Sequence, residues 1–408
     1  MSPTVSSSPQ VLRHANRLAI LDRMRKNGSM TGTDLMNATG LTRATVHGVC
    51  DDLIELGWVV EVDAKPEPGS VQMGRPARVY EFNARAGVVL GIDMGYHRVT
   101  VLVNDMRGER LAQHVERFDA DGSPDDRIDT VDRCAIRALA KAGTDAAAVL
   151  AVGVGVAAPL DAEGRTVPGN VFWKVMNVDL ARAFAERHGW PVVVDNDANL
   201  AALAERWRGH CGDSENFVVI LAGERLGAGL VEGGRVLHGS RGAAGEMAFL
   251  DHVEGVGSAI GIAPLAREWG ADEVRRAVSA GAAPGILVDL SSSDPETVTA
   301  EMVFDAAHRD DPAAVAILER LGDRFARIVA TLASLLNPEI VVIAGAVAQA
   351  SQLIVATIQE QLPRYTVVPP TILASDLGSE IVSIGAVRTA LDYAEAHALD
   401  TTKVAAHA

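Results

Sequence analysis

The sequence predicts an α/β protein that begins with a winged helix-turn-helix and continues into two related α/β lobes. Three observations predict this arrangement: helical apolar spacing with two strand-like segments before residue 85, buried strands with glycine turns after it, and a return of that pattern near residue 217. A chain of 408 residues is also too long for one hydrophobic core. We divide it into a disordered N-terminal tail (1–11), a head (12–84), a first lobe (85–205), a second lobe (206–398) and a C-terminal tail (399–408).

Charge is unevenly distributed along the chain. The whole sequence has 37 Lys and Arg against 53 Asp and Glu, a net charge of −16, which by itself argues against a nucleic-acid-binding protein. Residues 1–85, however, have 10 basic and 9 acidic side chains, a net of +1, while the rest have 27 and 44, a net of −17. A nearly neutral head on a strongly acidic body predicts separate tasks for the two parts.

The composition excludes several classes of protein. With 48% hydrophobic and 22% charged residues, the chain is typical of globular proteins and not of disordered or collagen-like ones. It has no apolar run long enough to span a membrane, and its start, MSPTVSSSPQ, lacks the pattern of a signal peptide. The three cysteines, Cys50, Cys134 and Cys211, form neither a CxxC pair nor a disulfide framework. We expect a reducing, cytoplasmic location and no contact with a membrane.

The head has the pattern of a helix-turn-helix. Apolar spacing predicts a first helix over 16–25 and a second over 33–38, with Thr33 as its N-cap and a tight turn at Gly40. Thr42 is predicted to cap a third helix over 43–56. The buried stripe of this third helix is expected to consist of Val46, Val49, Leu53 and Leu56.

The third helix is the candidate for reading DNA. Thr42, Arg43, Thr45 and His47 lie at or near its N-terminal end and off its buried stripe, where a recognition helix meets base edges in the major groove. Segments 58–62 and 77–82 predict the strands of a wing, and Arg75 near its tip suits a narrow minor groove or a phosphate. A three-helix domain that binds protein or packs on the body would show a similar helical pattern. The ordered turn, polar helix start and wing favour DNA, and the low net charge predicts that two heads act as a pair.

Polar residues follow the predicted strands of the body, and ligands in such folds bind at the carboxyl ends of strands. Strands are predicted at 88–93, 99–103, 150–156, 191–195, 217–221, 230–231 and 340–344, with a glycine-rich loop over 223–229. Asp197 follows one strand and precedes a helical run over 200–207, so it can accept a hydrogen bond from a sugar hydroxyl or act as a general base. An Asx turn with a helix cap would explain the same segment, and Asn199 in particular.

Two further segments offer ligand contacts. The small-residue segment 239–246 ends in one carboxylate, Glu246, which is either a ligand contact or a solvated loop acid. The loop 168–173 has Asn170, which could contact a hydroxyl group. It also has Trp173, which is either a stacking platform for a sugar ring or a buried side chain.

Six motifs occur in one order: TDLMNATGLTRATVHGVCDDLIELGWV, GRPARVYEFN, GIDMGYHRVTVLVNDMRGE, DNDANLAALAE, HGSRGAAGE and LLNPEIVVIAG. Together they resemble the repressor branch of the ROK family (repressors, open reading frames and kinases) over residues 12–395. The resemblance implies an actin-like (RNase H-like) body of two lobes, operator DNA as a partner, a homodimer or homotetramer, and a sugar or sugar-derived effector in the interlobe cleft. It also implies that Asn170, Asn196, Asp197 and Glu246 contact the effector, and that Asp197 occupies the position of the kinase base.

The phosphate-binding loops depart from the kinase pattern of that family. The first loop has Tyr96 and His97 where kinases have glycine and threonine, and the second has Glu224, an anion, where phosphates would lie. The third glycine cluster, 344–347, is partly lost. We therefore expect a transcriptional regulator, and specifically a repressor, that does not bind ATP and is not an enzyme. The alternative is an ATP-dependent sugar kinase with an accessory helix-turn-helix head.

The zinc box that the resemblance implies is also missing. Family members have a histidine and a CxCGxxGC cluster after the GAAGE glycine, whereas residues 245–261 here contain His252 and no cysteine. Tetrahedral structural zinc needs four donors, mostly nitrogen or sulfur. We therefore expect no metal and no cofactor. The resemblance implies that the missing histidine and a further glutamate help to bind the sugar in the family, so three alternatives stay open: an altered ligand, a weakly bound one, or none.

Overall fold

A computed structural model of the protein describes residues 9–63, 77–119, 122–161, 164–166, 176–247, 250–281, 285–345 and 351–397. Arg75 of the predicted wing tip, Asn170 and Trp173 lie outside these residues, as do residues 1–8 and the predicted C-terminal tail. Within the described ranges, no helix combines the length and the apolar character that crossing a membrane requires.

The head consists of three helices and a three-stranded antiparallel sheet. Its elements are α1 (Pro9–Asn27), β1 (Met30–Thr31), α2 (Gly32–Thr39), α3 (Arg43–Glu55), β2 (Val59–Val62) and β3 (Val79–Phe82). The strands lie in the order β1-β3-β2. Gly40 ends α2 with a left-handed φ of 71°, which places α3 at an angle to α2. This element order confirms the predicted winged helix-turn-helix.

Two details of the head differ from the prediction. Helix α2 is capped by Thr31 and not by Thr33, because Thr31 has an acid three positions later. The Thr31 hydroxyl accepts a hydrogen bond from the Asp34 N–H, and the Asp34 carboxylate accepts one from the Thr31 N–H. Helix α1 begins at Pro9, so residues 9–11 belong to this helix and not to a disordered tail.

The first lobe contains a five-stranded sheet in the order β6-β5-β4-β7-β8. Its elements are β4 (Val88–Met94), β5 (Arg98–Asp105), β6 (Arg110–Arg117), α4 (Pro124–Ala142), β7 (Val149–Val156), α5 (Leu180–His188) and β8 (Val192–Asn196), followed by α6 (Asp197–Arg208). Strands β4 and β7 are buried along almost their whole length because helices cover both faces of the sheet.

The second lobe repeats this sheet in the order β11-β10-β9-β12-β13. Its strands are β9 (Phe217–Ala222), β10 (Leu226–Glu232), β11 (Arg235–Val236), β12 (Ile340–Ala344) and β13 (Thr371–Ala374). Its helices are α7 (Ile262–Ala280), α8 (Ile286–Leu290), α9 (Ala300–His308), α10 (Pro312–Leu336), α11 (Ser351–Gln361) and the C-terminal α12 (Ile381–His397).

The two sheets match strand for strand. In each, the first strand pairs antiparallel with the second and parallel with the fourth, and the fourth pairs parallel with the fifth. This match confirms the predicted duplication and the actin-like body. One predicted loop is too long, however. Strand β10 already begins at Leu226, opposite Ala222, where the sequence predicts a loop up to Gly229.

Two helices cross between the lobes. Helix α6 follows the last strand of the first sheet but packs on β9 and β10, while α12 follows the last strand of the second sheet but packs on β4 and β7. Glycines permit this contact: a Cβ atom on Gly385 of α12 would lie 1.9 Å from the carbonyl oxygen of Leu200 in α6. Helix α12, predicted as part of the second lobe, therefore lies on the first.

The hydrophobic cores follow this arrangement. The second lobe has its own core, which includes the buried face of α10 with Leu321 and Phe325. The core of the head, around Trp58 and Tyr80, continues into Leu391 of α12. Helix α12 therefore contacts the head, the first sheet and α6.

Candidate functional site

The N-terminal turn of α3 presents a polar face. Thr42 has an extended backbone, and its hydroxyl accepts a hydrogen bond from the Thr45 N–H at 3.3 Å and lies 2.9 Å from the Thr45 hydroxyl. Arg43 is exposed, and no carboxylate among the described residues pairs with it. The structure therefore brings together three of the predicted DNA contacts on one exposed turn.

His47 has a structural contact that spacing alone did not predict. Its ring is half-buried, Nδ1 lies 2.7 Å from the Tyr80 hydroxyl, and the ring packs where a Cβ atom on Gly32 would lie 3.1 Å from Cε1. This contact joins α3 to strand β3 of the wing. The role of His47 in reading DNA stays a prediction.

Several other arginines of the head are paired within the domain. The Arg13 and Arg17 guanidinium groups both bind the Asp52 carboxylate, at 2.5 and 2.8 Å, and lower its pKa. Arg78 binds the Glu61 carboxylate at 2.8 Å. These ion pairs reduce the positive charge that the head offers to DNA.

In the body, Asn196 shapes the end of strand β8. Its Oδ1 accepts hydrogen bonds from the N–H groups of Ala198 and Asn199, and its Nδ2 donates to the carbonyl oxygen of Ala158. The helix cap that the sequence indicated is therefore Asn196. Asn199 lies inside α6, where its Nδ2 donates to the Asp195 carboxylate at 2.9 Å.

Three carboxylates meet in the cleft between the lobes. The pKa of Asp197 is raised to about 7, mainly by burial and in addition by the nearby charges of Asp93 and Glu246. Burial also raises the pKa of Asp93 to about 6. Asp93 comes from the end of β4 in the first lobe and Glu246 from a loop of the second, so both lobes contribute to the cluster.

Glu246 is positioned by a backbone contact that needs glycine. Gly245 has a φ of 80°, and a Cβ atom on it would lie 1.8 Å from the carbonyl oxygen of Ala228. The next residue forms a β-bridge with Gly227 of strand β10. Burial raises the pKa of Glu246, while the charge of Arg225 lowers it. Glu246 is thus a half-buried acid whose backbone is fixed by strand β10, and not a solvated loop acid.

Sequence reasoning missed two members of this site. Asp93 was predicted only as the last residue of the strand 88–93, although a carboxylate at the end of a buried strand was a usable signal. The second is the pair of His238 and Asp195, whose Nε2 and Oδ2 atoms lie 3.1 Å apart, and this hydrogen bond raises the pKa of His238. The two residues are 43 positions apart, so no local pattern could indicate the pair.

The first loop, which departs from the phosphate-binding pattern, is closed by internal hydrogen bonds. The Gly95 N–H donates to the carbonyl oxygen of Arg98 at 3.0 Å. The Arg127 guanidinium donates to the carbonyl oxygens of Gly95 and Tyr96, each at 3.1 Å, and its centre lies 3.9 Å from the Phe118 ring centroid. The Gly95 N–H is therefore used within the loop and is not available to a phosphate.

The second such loop has a negative charge beside a helix N-terminus. The carbonyl oxygen of Glu224 accepts a hydrogen bond from the Gly261 N–H, which directly precedes α7. The Glu224 carboxylate lies 3.6 Å from the Arg267 guanidinium. The arginine thus partly compensates the charge of the acid.

Comparisons with known proteins identify the family. The ROK family description matches residues 89–392, which is most of the chain, and the IclR helix-turn-helix domain matches residues 15–63. The chain belongs to the ROK family. This ROK protein is 26% identical over 342 residues to the xylose repressor of Caldicellulosiruptor bescii, covering 82% of this chain and 83% of that repressor. It is 31% identical over 233 residues to the glucokinase of Halalkalibacterium halodurans, covering 52% of this chain and 67% of the glucokinase.

Solved structures agree with the fold. A ROK family transcriptional regulator described as a homologue of the E. coli MLC protein has a TM-score of 0.71 and 22% identity, covering 97% of this chain and 100% of that one. The likeness extends over head and body, so the order of domains in this ROK protein is that of the solved regulator.

One group of possible metal ligands occurs among the described residues of the ROK body, and its chemistry disfavours a cation. His114, Glu116 and Cys134 approach one another on β6 and α4. Glu116 is already paired with Arg133 and Arg137, at 2.9 Å each. Burial raises the pKa of Cys134 to about 12, so binding a metal would have to displace the thiol proton.

The end of α12 joins the ROK body to the head. Arg25 of α1 forms an ion pair with Glu395, which also accepts a hydrogen bond from Arg388 at 3.2 Å. Beside this pair lies a cavity of about 310 Å³, lined by apolar side chains that include Trp58 and Met106. The junction therefore combines an ion pair with incomplete apolar packing.

Proposed function

We propose that this protein is a DNA-binding transcriptional repressor that releases its operator when a sugar or sugar-derived effector binds in the interlobe cleft. The observation that carries this proposal is the exposed turn of Thr42, Arg43 and Thr45 at the start of the second helix of a helix-turn-helix. A cytoplasmic location, with operator DNA as the partner, is part of the proposal.

A single head binds DNA weakly in this proposal. Phosphate contacts supply much of the affinity of DNA-binding domains. Several arginines of this head are paired with carboxylates and are therefore less available for such contacts. A homodimer or homotetramer compensates by placing two heads on two half-sites. A pseudo-palindromic operator is therefore expected.

The effector proposal rests on the chemistry of the cleft. Asp197, Glu246 and Asp93 supply half-buried carboxylates that can accept several hydrogen bonds, which suits a ligand rich in hydroxyl groups. The amide of Asn196 caps α6 and donates one hydrogen bond to Ala158, so it helps to position Asp197, and its contact with the effector remains a proposal. Asn170 remains a proposed contact outside the described residues. Xylose and glucose, the sugars in the relatives' names, are the first candidates to test.

Helix α12 offers a route from the cleft to the head. Asp197 is the first residue of α6, and α6 packs against Gly385 of α12 so closely that a side chain there would not fit. Farther along α12, Glu395 holds Arg25 of the head. A ligand that moves α6 therefore biases the position of the head by differential contacts in its two states.

The experiment combines selection and competition. The full-length protein is incubated with fragments of the genome that encodes it, bound fragments are sequenced, and affinities are measured by gel shift against random DNA at fixed salt. We expect a small set of preferred fragments whose binding weakens when xylose or glucose is added. Equal affinity for every genomic fragment and for random DNA would overturn the DNA-binding proposal.

We also propose that kinase activity has been lost and that ATP is not a cofactor. The hydrogen bonds of Gly95 with Arg98 and of Arg127 with the loop carbonyls support this, as does the Glu224 anion. Titration of the protein with ATP and Mg²⁺ in a calorimeter should give no saturable binding.

One observation favours a sugar kinase as the second candidate. A carboxylate whose pKa is raised to about 7, as for Asp197, is well matched to general-base catalysis on a sugar hydroxyl. A kinase would release ADP in the presence of ATP and a sugar, and Asp197→Ala would abolish that release. Sugar-dependent ADP release by the unmodified protein would establish this candidate.

A further inference from the structure

The segment that replaces the family's zinc box is ordered without the ligands that zinc requires. Leu250–His252 form a single 3-10 turn, and residues 253–261 follow as an irregular loop that leads into α7. Within residues 245–261, His252 is the only imidazole and there is no thiol. The loop is nevertheless packed, because Val256 and Ala259 are 2% and 3% exposed.

Arg324 of α10 lies at the centre of this loop. Its side chain is buried, Nε donates to the carbonyl oxygen of Val256 at 2.5 Å, and Nη2 donates to those of Ser258 and Ile260 at 2.6 and 3.0 Å. Alternate residues thus turn their carbonyl oxygens toward one cation, as backbone oxygens also do around a bound metal ion. No carboxylate of the described residues pairs with Arg324, so these carbonyl oxygens are its polar partners, and burial lowers its pKa to about 10.

Arg327 adds a weaker contact one turn later on the same helix. Its Nη1 donates to the carbonyl oxygen of Glu254 at 3.1 Å, and its Nε donates to the Asp323 carboxylate at 3.0 Å. The loop approaches this side chain closely, since a Cβ atom on Gly255 would lie 2.8 Å from Arg327 Nε. Two arginines of α10 therefore hold most of the segment by its backbone.

The held loop supports the strand next to Glu246. The Leu226 N–H donates to the carbonyl oxygen of Ala259 at 3.0 Å, and the Gly261 N–H donates to that of Glu224 at 3.0 Å. One residue further along β10, Gly227 forms the β-bridge with Glu246. Arg324 is thus linked to Glu246 by its side-chain hydrogen bonds to the loop carbonyls and then by backbone hydrogen bonds from the loop to β10.

We infer that Arg324 replaces the structural metal of the family: its guanidinium orders the loop 253–261 and, through β10, positions Glu246 for the effector. The ordering of the loop is independent of any ligand. The positioning of Glu246 rests on the proposed effector function. Arg324 is in this sense a positioning residue and not a contact of the ligand.

Metal content is the first test. Protein purified without chelators is analysed for zinc by atomic emission, and its melting temperature is measured with and without EDTA. We expect zinc far below one ion per chain and no change in melting temperature. One zinc ion per chain together with a fall in melting temperature in EDTA would overturn the inference.

Hydrogen exchange tests the ordering of the loop. Arg324→Met removes the guanidinium, Arg324→Lys keeps the charge but not the planar donor set, and Arg320→Met is the matched control. Arg320 lies one turn earlier on α10, with its guanidinium 3.7 Å from the Trp269 ring centroid and no hydrogen bond to the loop. We expect roughly tenfold faster exchange of residues 224–228 and 250–261 in both Arg324 variants and not in the control. Equal exchange in all three variants would overturn the inference. If Arg324→Met does not fold, the comparison of Arg324→Lys with Arg320→Met provides the test.

Sugar affinity tests the positioning of Glu246. Arg324→Lys and Glu246→Gln should each weaken the binding of xylose or glucose in calorimetry. Their combination should weaken it by less than the product of the two fold-changes, because both act on one contact. Full sugar affinity in Arg324→Lys would overturn the positioning step. If neither sugar binds the unmodified protein, the proposed effector class fails, while the metal and exchange measurements still decide the role of Arg324.

Discussion

The head and the cleft use charge in opposite ways. In the head, acidic side chains neutralise arginines across the helices, as Asp52 does for Arg13 and Arg17. Arg43, on the exposed turn of α3, is among the arginines of the described head that have no carboxylate partner. A head with almost no net charge can therefore still present a positive group on the turn that is predicted to contact DNA.

In the cleft, the groups that lack a close counter-ion are acids. Asp197 is flanked by Asp93 and Glu246, and its raised pKa shows that burial and like charge outweigh the favourable contact with the Ala198 N–H. Charge compensation is thus incomplete at both proposed binding sites. At the head the proposed partner is DNA, a polyanion, and in the cleft it is a sugar, a polyol. Removing each uncompensated group should abolish one function and spare the other.

The largest expected effect comes from Asp197→Ala. This change should abolish the loss of operator binding on addition of sugar, because it removes the central acceptor of the cleft, and leave ligand-free operator affinity unchanged. Gel shifts with and without sugar measure both quantities, and Asp213→Ala, which removes an exposed acid outside the cleft, is the control. A full sugar response in Asp197→Ala would move the effector site elsewhere.

Arg43→Ala should have the next largest effect. It should weaken operator binding roughly 10- to 100-fold and random-DNA binding much less, because a base contact contributes about 1–3 kcal/mol of discrimination. Arg23→Ala, which removes another exposed cation of the head, is the matched control. If both variants lose the same factor on operator and random DNA, Arg43 contacts phosphate and the placement of the recognition helix is wrong.

The sequence predicted the fold because its elements are locally encoded. The turn at Gly40, the cap at Thr42 and the duplicated strands follow from patterns a few residues long, and the structure confirms them. The exchange of α6 and α12 between the lobes was not predictable, because the pattern of a helix shows that it has a buried face but not which sheet covers it.

The sites show the same limit. Asp197 and Glu246 were found through motifs, and the structure brings them together with Asp93. The contact of His47 with Tyr80 joins residues 33 positions apart, and that of Arg324 with Ser258 joins residues 66 apart. Such pairs depend on tertiary packing, and a single sequence does not reveal them.

A smaller effect is expected at the junction of head and body. Glu395→Gln removes the charge that holds Arg25 and Arg388, so the head should be less tightly coupled to α12. The fold-change in operator affinity caused by sugar should fall by about fivefold, or about 1 kcal/mol of coupling, while sugar affinity itself stays unchanged. The exposed acid Glu319 provides the control variant Glu319→Gln. Undiminished coupling in Glu395→Gln would exclude this contact from the route.

The smallest expected effect is on the stability of the ligand-free protein. It tests the charge of the cleft carboxylates without any contribution from a ligand. Folding raises the pKa of Asp197 from 3.8 to about 7. At pH values between 3.8 and about 7, the folded protein therefore keeps a proton on Asp197 that the unfolded chain has released. This carboxyl group therefore makes the folded state less stable as pH rises through that range, and above pH 7 the full cost is present.

Asp197→Asn imitates the protonated acid, and its Oδ1 can still accept the hydrogen bond from Ala198 N–H. Its melting temperature should exceed that of the unmodified protein by a few degrees at pH 8, about 2–4 °C for each kcal/mol, and by less at pH 5. Asp213→Asn, at an exposed position, should show no such pH dependence. A gain for Asp197→Asn that is equal at both pH values would mean that the acid is ionised and compensated in the cleft, and the contrast with the head would then disappear.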